Sequence, residues 1–263
     1  MKNYKRVVVK IGSSSLTHKT GNLNIRRTEH LVKVLSDIKS SGIELIIVSS
    51  GAIAIGSGKL GFSEKPHDMA TKQATAAVGQ CELMYIYDKQ FSEYNQIVAQ
   101  ILLTNDDIKD PKRCKNVENT LFRLIELGCI PIVNENDTVS VQEIEVGVFS
   151  ENDALSAVVA KLLNADLLVI ISDIDGLYDS DPRKNSGAKL IPVVEDPKSV
   201  KAFAEGASEL GTGGMTTKLH AATLMQEAGI DMIIINGNSP ENLYDAVAGK
   251  PVGTLFPSKN RHR

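Results

Sequence analysis

The chain has 263 residues, 42% hydrophobic, 23% charged and 5% aromatic, with a net charge of −3. A fold of this size removes roughly 70–75% of its unfolded surface from water, and the ordinary composition excludes a disordered chain, a collagen-like repeat and a disulfide scaffold. No run reaches the ~20 apolar residues of a membrane helix, and 29 Lys+Arg against 32 Asp+Glu leave no basic footprint for nucleic acid, so a small molecule is the expected partner.

Met1 to Lys10 passes from a basic patch into an apolar run without a small-residue cleavage site, so no signal peptide is expected. Arg6 to Ile11 reads as a buried strand, and so do Glu44 to Ser49, Ile97 to Leu103, Ile130 to Asn134, Leu167 to Ser172 and Asp231 to Asn236. Each is rich in Val and Ile and apolar on both faces, as strands covered by helices on both sides must be. Between them lie helical stripes. Leu31, Val34, Leu35 and Ile38 form one, closed by Gly42; Val117 to Ile125 form another, closed by Gly128. Leu155, Val158, Val159, Leu162 and Leu163 form a third, and Met215 to Ala228 a fourth that stops at Gly229. The helix over 69–94 reads as exposed and able to supply an interface.

This alternation predicts an α/β fold, a doubly wound and mainly parallel sheet sandwiched by helices. Thr138 to Phe149 breaks the rhythm with period-two alternation and reads as a flap beside a strand end, while Ser180 to Pro192 reads as a surface loop. No linker divides the chain, so a single domain over 1–263 with two lobes is expected.

Open α/β sheets bind ligands at the carboxyl ends of their strands. Here those ends carry Lys10-Ile11-Gly12-Ser13-Ser14, Ser50-Gly51-Ala52, Asn134-Glu135-Asn136-Asp137 and Asp173-Ile174-Asp175-Gly176. One such end is punctuation; four together describe a polar cleft. Gly12-Ser13-Ser14, Ser50-Gly51-Ala52 and Thr212-Gly213-Gly214-Met215-Thr216-Thr217-Lys218 each offer small residues whose backbone N–H groups can approach an anion before a helix. With Lys10 and Lys218 nearby they suggest a polyphosphate cradle. Gly56-Ser57-Gly58-Lys59-Leu60-Gly61 matches a dinucleotide fingerprint but lacks its strand–helix context, so it reads as a helix end and turn.

No G-x-S-x-G elbow and no metal-ligand or triad spacing occurs among the five histidines, and His220 reads as a solvated face residue. Cys81, Cys114 and Cys129 read as small core or boundary residues in a reducing cytosol. Asn152-Asp153 opens a helix; from the residues alone Asp153 is favoured as its cap, with a cleft-facing carboxylate as the alternative.

The segments Val9 to Ser14, Ile47 to Ala54, Ile132 to Asp137 and Leu210 to Lys218 resemble the amino acid kinase superfamily, in order and spacing from Val7 to Phe256. Asp173-Ile174-Asp175-Gly176-Leu177-Tyr178, together with Asp181-Pro182-Arg183, is similar to that superfamily's nucleotide-side loop. The Val133-Asn134-Glu135-Asn136-Asp137 and Gly211 to Lys218 segments are sharper, resembling the members that phosphorylate the γ-carboxylate of L-glutamate at the first step of proline biosynthesis.

The resemblance implies that Lys10 and Lys218 contact the transferring phosphoryl group and that Asp153 orients them. Ser50, Gly51, Asn134, Asp137 and Asn152 would hold glutamate, with Asp137 and the flap reading its α-amino group. Lys10, Gly12, Ser172, Asp173, Thr212, Gly213, Gly214, Met215, Thr216, Thr217 and Lys218 would line the nucleotide site. It implies ATP as co-substrate, Mg²⁺ bridging its phosphates with no direct protein ligand assigned, and substrate and nucleotide lobes over about 1–164 and about 165–263. It further implies a cytoplasmic homo-oligomer, dimer or tetramer, with proline as a feedback ligand.

Two departures stand out. Ser150-Glu151-Asn152-Asp153 replaces the family's common G-D-N-D, and the chain stops before the C-terminal PUA domain that many members carry. Alternatives are a member acting on acetylglutamate or aspartate, or a non-catalytic amino-acid or nucleotide sensor on the same fold.

Overall fold

The computed structural model describes residues 4–18, 20–62, 64, 66–140, 152–182, 184–200 and 214–259. Its strands are β1 (Arg6–Ile11), β2 (Glu44–Ser49), β3 (Val98–Leu103), β4 (Ile130–Glu135), β5 (Leu167–Ser172), β6 (Asp231–Asn236) and β7 (Thr254–Phe256). They form one sheet in the order β3-β4-β2-β1-β5-β6-β7. Every pairing is parallel except β6 with β7. The helices are α1 (Ser13–Leu16), α2 (Ile25–Ser40), α3 (Ala52–Leu60), α4 (Met69–Ser92), α5 (Asn105–Lys109), α6 (Pro111–Glu126), α7 (Asn152–Leu162), α8 (Gly214–Glu227) and α9 (Asn242–Val247).

Period-two alternation divides the strand side chains between two cores. Val8, Ile46, Val48, Val133 and Ile170 pack with Leu155 and Val159 of α7 and Leu219 and Met225 of α8. Val7, Val9, Ile47, Ile132 and Val169 pack on the opposite face with Leu31 and Leu35 of α2 and Leu83 and Tyr87 of α4. Both faces are covered, which is why the sequence reads as unbroken Val/Ile runs. The chain goes from β1 to β2 on one side and later from β4 to β5 on the other. Strand order therefore reverses at β1, and the carboxyl ends around it form the crevice that such sheets use for ligands.

The expected helix stops are in place: Gly42, Gly128 and Gly229 have φ of +97°, +79° and +73° after α2, α6 and α8. The Gly56–Gly61 segment is the end of α3, capped by Gly61 in the left-handed region. At the other rim of the sheet Asp231 is fully buried; Tyr4 Oη donates to its Oδ2 at 2.7 Å and the Ser258 N–H to its Oδ1 at 2.9 Å. No helix among the described residues is long and apolar enough to cross a membrane.

Some expectations need correction. The third strand begins at Val98, with Ile97 64% exposed. It is a half-buried edge strand because no strand among the described residues pairs beyond it. The antiparallel β7 is too short to show a period. Cys81 is exposed, neither core nor boundary. The predicted exposed helix, α4, buries one whole stripe through Thr75, Ala76, Gly79, Gln80, Leu83, Ile86, Tyr87 and Phe91, although Tyr85 remains 61% exposed. Of the expected flap only Thr138 to Ser140 are described, as part of a turn after β4; 141–149 lie outside the described residues.

Helices α3 and α4 meet at backbone contact. A Cβ on Gly79 would overlap the Ala52 carbonyl oxygen and stand 2.6 Å from Gly56 N, and one on Gly56 would overlap the Thr75 carbonyl oxygen. Gly79→Ala must push the helices apart, and overpacking against backbone costs about 3 kcal/mol or more. The expected outcome is a lower midpoint in urea denaturation than for the parent chain, by a margin that Cys81→Ala on the exposed side of the same helix does not produce.

Candidate active site

Lys10 alternates with Val9 and Ile11, so it emerges from β1 on the α7–α8 side of the sheet. There its Nζ lies 2.8 Å from Asp153 Oδ1. Lys218 Nζ donates to Asp153 Oδ2 at 3.1 Å and to the Gly214 carbonyl at 2.9 Å, and Thr217 Oγ1 donates to the same Oδ2 at 3.1 Å. Asp153 is 1% exposed and each lysine side chain 11%. Burial acts to raise the Asp153 carboxyl, but the charges of Lys10 and Lys218 outweigh it and hold the group below its ordinary range. Its oxygens serve two lysines and a threonine, the lysine-holding role read as the alternative to a cap, and the carboxylate itself is buried.

Beside this cluster a network of amides joins the ends of β2 and β4 to α7 and α4. Asn152 Nδ2 donates to the Ser49 carbonyl at 3.1 Å, to Ser50 Oγ at 2.7 Å and to Asn134 Oδ1 at 3.2 Å. Asn134, 2% exposed, donates in turn to Gln80 Oε1 on α4 at 2.9 Å. Gly51 precedes α3 with φ +106°, a conformation that strains any side chain. Lys10, Gly12, Ser50, Gly51, Asn134, Asp137 and Asn152 all line one cleft of about 570 Å³.

The nucleotide-side residues fall next to it. Ser172 ends β5 beside β1 and donates to Asp173 Oδ1 at 3.2 Å; Asp173 opens onto a neighbouring cavity of about 740 Å³ with Ser13, Ser14 and Arg27. The loop after Asp173 is pinned from β7: Thr254 Oγ1 accepts the Leu177 N–H at 2.8 Å and donates to the Ile191 carbonyl at 2.7 Å. A Cβ on Gly176 would overlap that hydroxyl, which accounts for the glycine. Gly214, Met215, Thr216 and Thr217 open α8, with Met215 packed against the α7–α8 core. Thr212, Gly213 and Glu151 lie outside the described residues. His220 is exposed, as expected.

Sequence reasoning missed Lys72, which also lines the cleft with Glu135 of the strand-end segment, and Gln80 behind it. A signal existed. Lys72, Thr75, Ala76, Gly79, Gln80 and Leu83 recur at helical spacing, so polar and small residues occupy the buried stripe of α4 where it passes the cleft.

The donor set is one for phosphate. Among the described residues no three His, Cys, Asp or Glu side chains are grouped to hold a metal ion, and both Asp153 oxygens face lysines. Mg²⁺ commonly keeps several waters and binds through substrate phosphates, so the residues fit a magnesium ion that the nucleotide's phosphate oxygens carry.

The sequence matches the amino acid kinase family over residues 5–236. It is 51% identical over 262 residues to the glutamate 5-kinase of Clostridium perfringens, covering 98% of this chain and 97% of that protein. It is 50% identical to the glutamate 5-kinase of Carboxydothermus hydrogenoformans, covering 99% of this chain and 70% of that longer protein. Among solved structures, a UMP kinase from Bacillus anthracis superposes with TM-score 0.69 at 20% identity over 98% of each chain. An isopentenyl phosphate kinase from T. acidophilum gives 0.65 at 19% identity over 95% of this chain and 98% of that one. These two share the fold. The chain belongs to the amino acid kinase family, in the branch of the glutamate 5-kinases.

Proposed function

We propose that the chain transfers the γ-phosphoryl group of ATP to the γ-carboxylate of L-glutamate, forming glutamyl 5-phosphate. The observation that carries the reading is the pair of lysines held by one buried aspartate, with Lys10 of the pair on the wall of a polar cleft. It is joined by 51% identity to a glutamate 5-kinase along almost the whole chain. The substrate's own carboxylate is the nucleophile, so no activated Ser, Cys or His is needed. A carboxylate oxygen forms the new bond to phosphorus, the bond from phosphorus to the β–γ bridging oxygen breaks, and the electron pair leaves with ADP. No proton moves.

What the protein must supply is position and positive charge. Lys10 and Lys218 face the oxygens of the group in transit, and Asp153 fixes the two ammonium groups so that no reorganisation is needed as charge builds. Asn152, Ser50, Asn134 and Gly51 set the acceptor end, and Asp137 takes the substrate ammonium. Ser172, Asp173 and the start of α8 belong to the nucleotide side. Bound Mg²⁺ neutralises phosphate charge. The part of the chain up to about 164 is then the substrate lobe and the remainder the nucleotide lobe. A homo-oligomeric enzyme with proline as feedback ligand belongs to the same reading.

The direct test is hydroxylamine trapping. With ATP, Mg²⁺ and glutamate the chain is expected to yield glutamyl hydroxamate; a product with N-acetylglutamate or aspartate and none with glutamate overturns the assignment. Lys10→Ala and Lys218→Ala are each expected to lower kcat by about 10²–10³-fold, the usual effect of losing one preorganised donor. The pH dependence of stability has a definite sign. Because the folded Asp153 carboxyl titrates below its ordinary range, its contribution is present at neutral pH and is lost as pH falls below about 4. Urea midpoints measured down to acid pH are expected to fall less steeply for Asp153→Asn than for the parent chain.

A further inference from the structure

We infer that Lys72 reads the α-carboxylate of the amino-acid substrate and so, with Asp137 on the ammonium, makes the site select an α-amino acid over a plain carboxylate. This rests on the glutamate reading above. Glutamate brings two carboxylates into the cleft, and only the γ-carboxylate meets Lys10 and Lys218. The second is poorly accommodated away from water unless a cation meets it.

The cleft wall holds two cationic side chains, Lys10 and Lys72, among the described residues. Lys10 is paired with Asp153 at the phosphoryl end. Lys72 comes from another direction, the first turn of α4. That turn is docked on the chain after β4, where Gln73 Nε2 donates to the Ser140 carbonyl at 3.3 Å. Asp137 lies in the same short stretch between β4 and Ser140 and lines the same cleft. Lys72 and Asp137 therefore line the cleft from two segments joined by a hydrogen bond, whereas Lys10 enters from β1 and is tied to Asp153. An α-amino acid presents a carboxylate and an ammonium on one carbon, and a neighbouring lysine and aspartate complement that pair.

The position of Lys72 is also not explained by its helix. It is the fourth residue of α4, close to the positive end of the helix dipole, where a cation is unfavourable. It is half-buried beside the cleft and lies on the stripe that continues through Thr75, Gly79 and Gln80. A lysine there works against the dipole of α4 rather than with it.

The test compares L-glutamate with its α-carboxamide, L-isoglutamine, which keeps the ammonium and the γ-carboxylate. The wild-type chain must first form the hydroxamate with glutamate; if it does not, the proposed function fails and the question of Lys72 falls with it. Lys72→Met is expected to raise KM for glutamate by about 10²-fold, as for losing one partner of a desolvated charge pair. It is expected to leave kcat and KM for ATP within a few-fold, because the interaction is the same in ground and transition states. The preference in kcat/KM for glutamate over isoglutamine is expected to shrink by the same factor, and Lys72→Arg to restore part of it. A structural role would lower both substrates together. If Lys72→Met, or Lys72→Gln should the first variant not fold, keeps the wild-type preference, the inference is wrong.

Discussion

The site depends on a single buried negative charge set between two positive ones. Asp153 is almost wholly removed from water, and so nearly are Lys10 and Lys218. Such burial is tolerated only when the charges meet. The three residues come from β1, α7 and α8, which lie far apart in the chain, so their meeting requires the whole sheet with its helices on one face. The cluster has one more positive than negative charge, and that excess is available to an incoming anion. The arrangement is thus both a clamp on three elements and a fixed electrostatic bias in the cleft.

A second constraint is steric. Helices α3 and α4 approach so closely that Gly56 and Gly79 have no room for a side chain. Gln80 on α4 then meets Asn134, Asn134 meets Asn152, and Asn152 meets Ser50. The two devices meet at the first turn of α7, where Asn152 belongs to the amide network and Asp153 to the charge cluster. The amide network and the charge cluster are therefore fixed relative to each other by adjacent residues of one helix.

Much of this is legible in sequence because buried parallel strands announce themselves as Val/Ile runs, and the residues just after each run face the crevice. Lys10-x-Gly12, Ser50-Gly51 and Asn134 to Asp137 are found that way. Asp153 is not settled that way. An acidic residue at a helix start looks like a cap, and one of the lysines that claims its carboxylate is 65 positions distant. The edge strand β3 is over-read as buried because composition cannot say which strand lacks a neighbour. Lys72 and Gln80 escape because a polar residue in a helical stripe is discounted until the stripe is known to be buried.

The stitching of Asp231 to Tyr4 and Ser258 has a consequence for how the molecule is connected to anything else. Tyr4 enters just before β1, and Ser258 comes after the antiparallel β7, so both lie at the amino-terminal rim of the parallel strands. The cleft is at the opposite rim. A polypeptide joined beyond Ser258 would start on the far side of the sheet and would have to travel around it to reach the cleft. The two ends of the kinase fold are in this sense a handle, held together by one buried carboxylate and turned away from the mouth of the site.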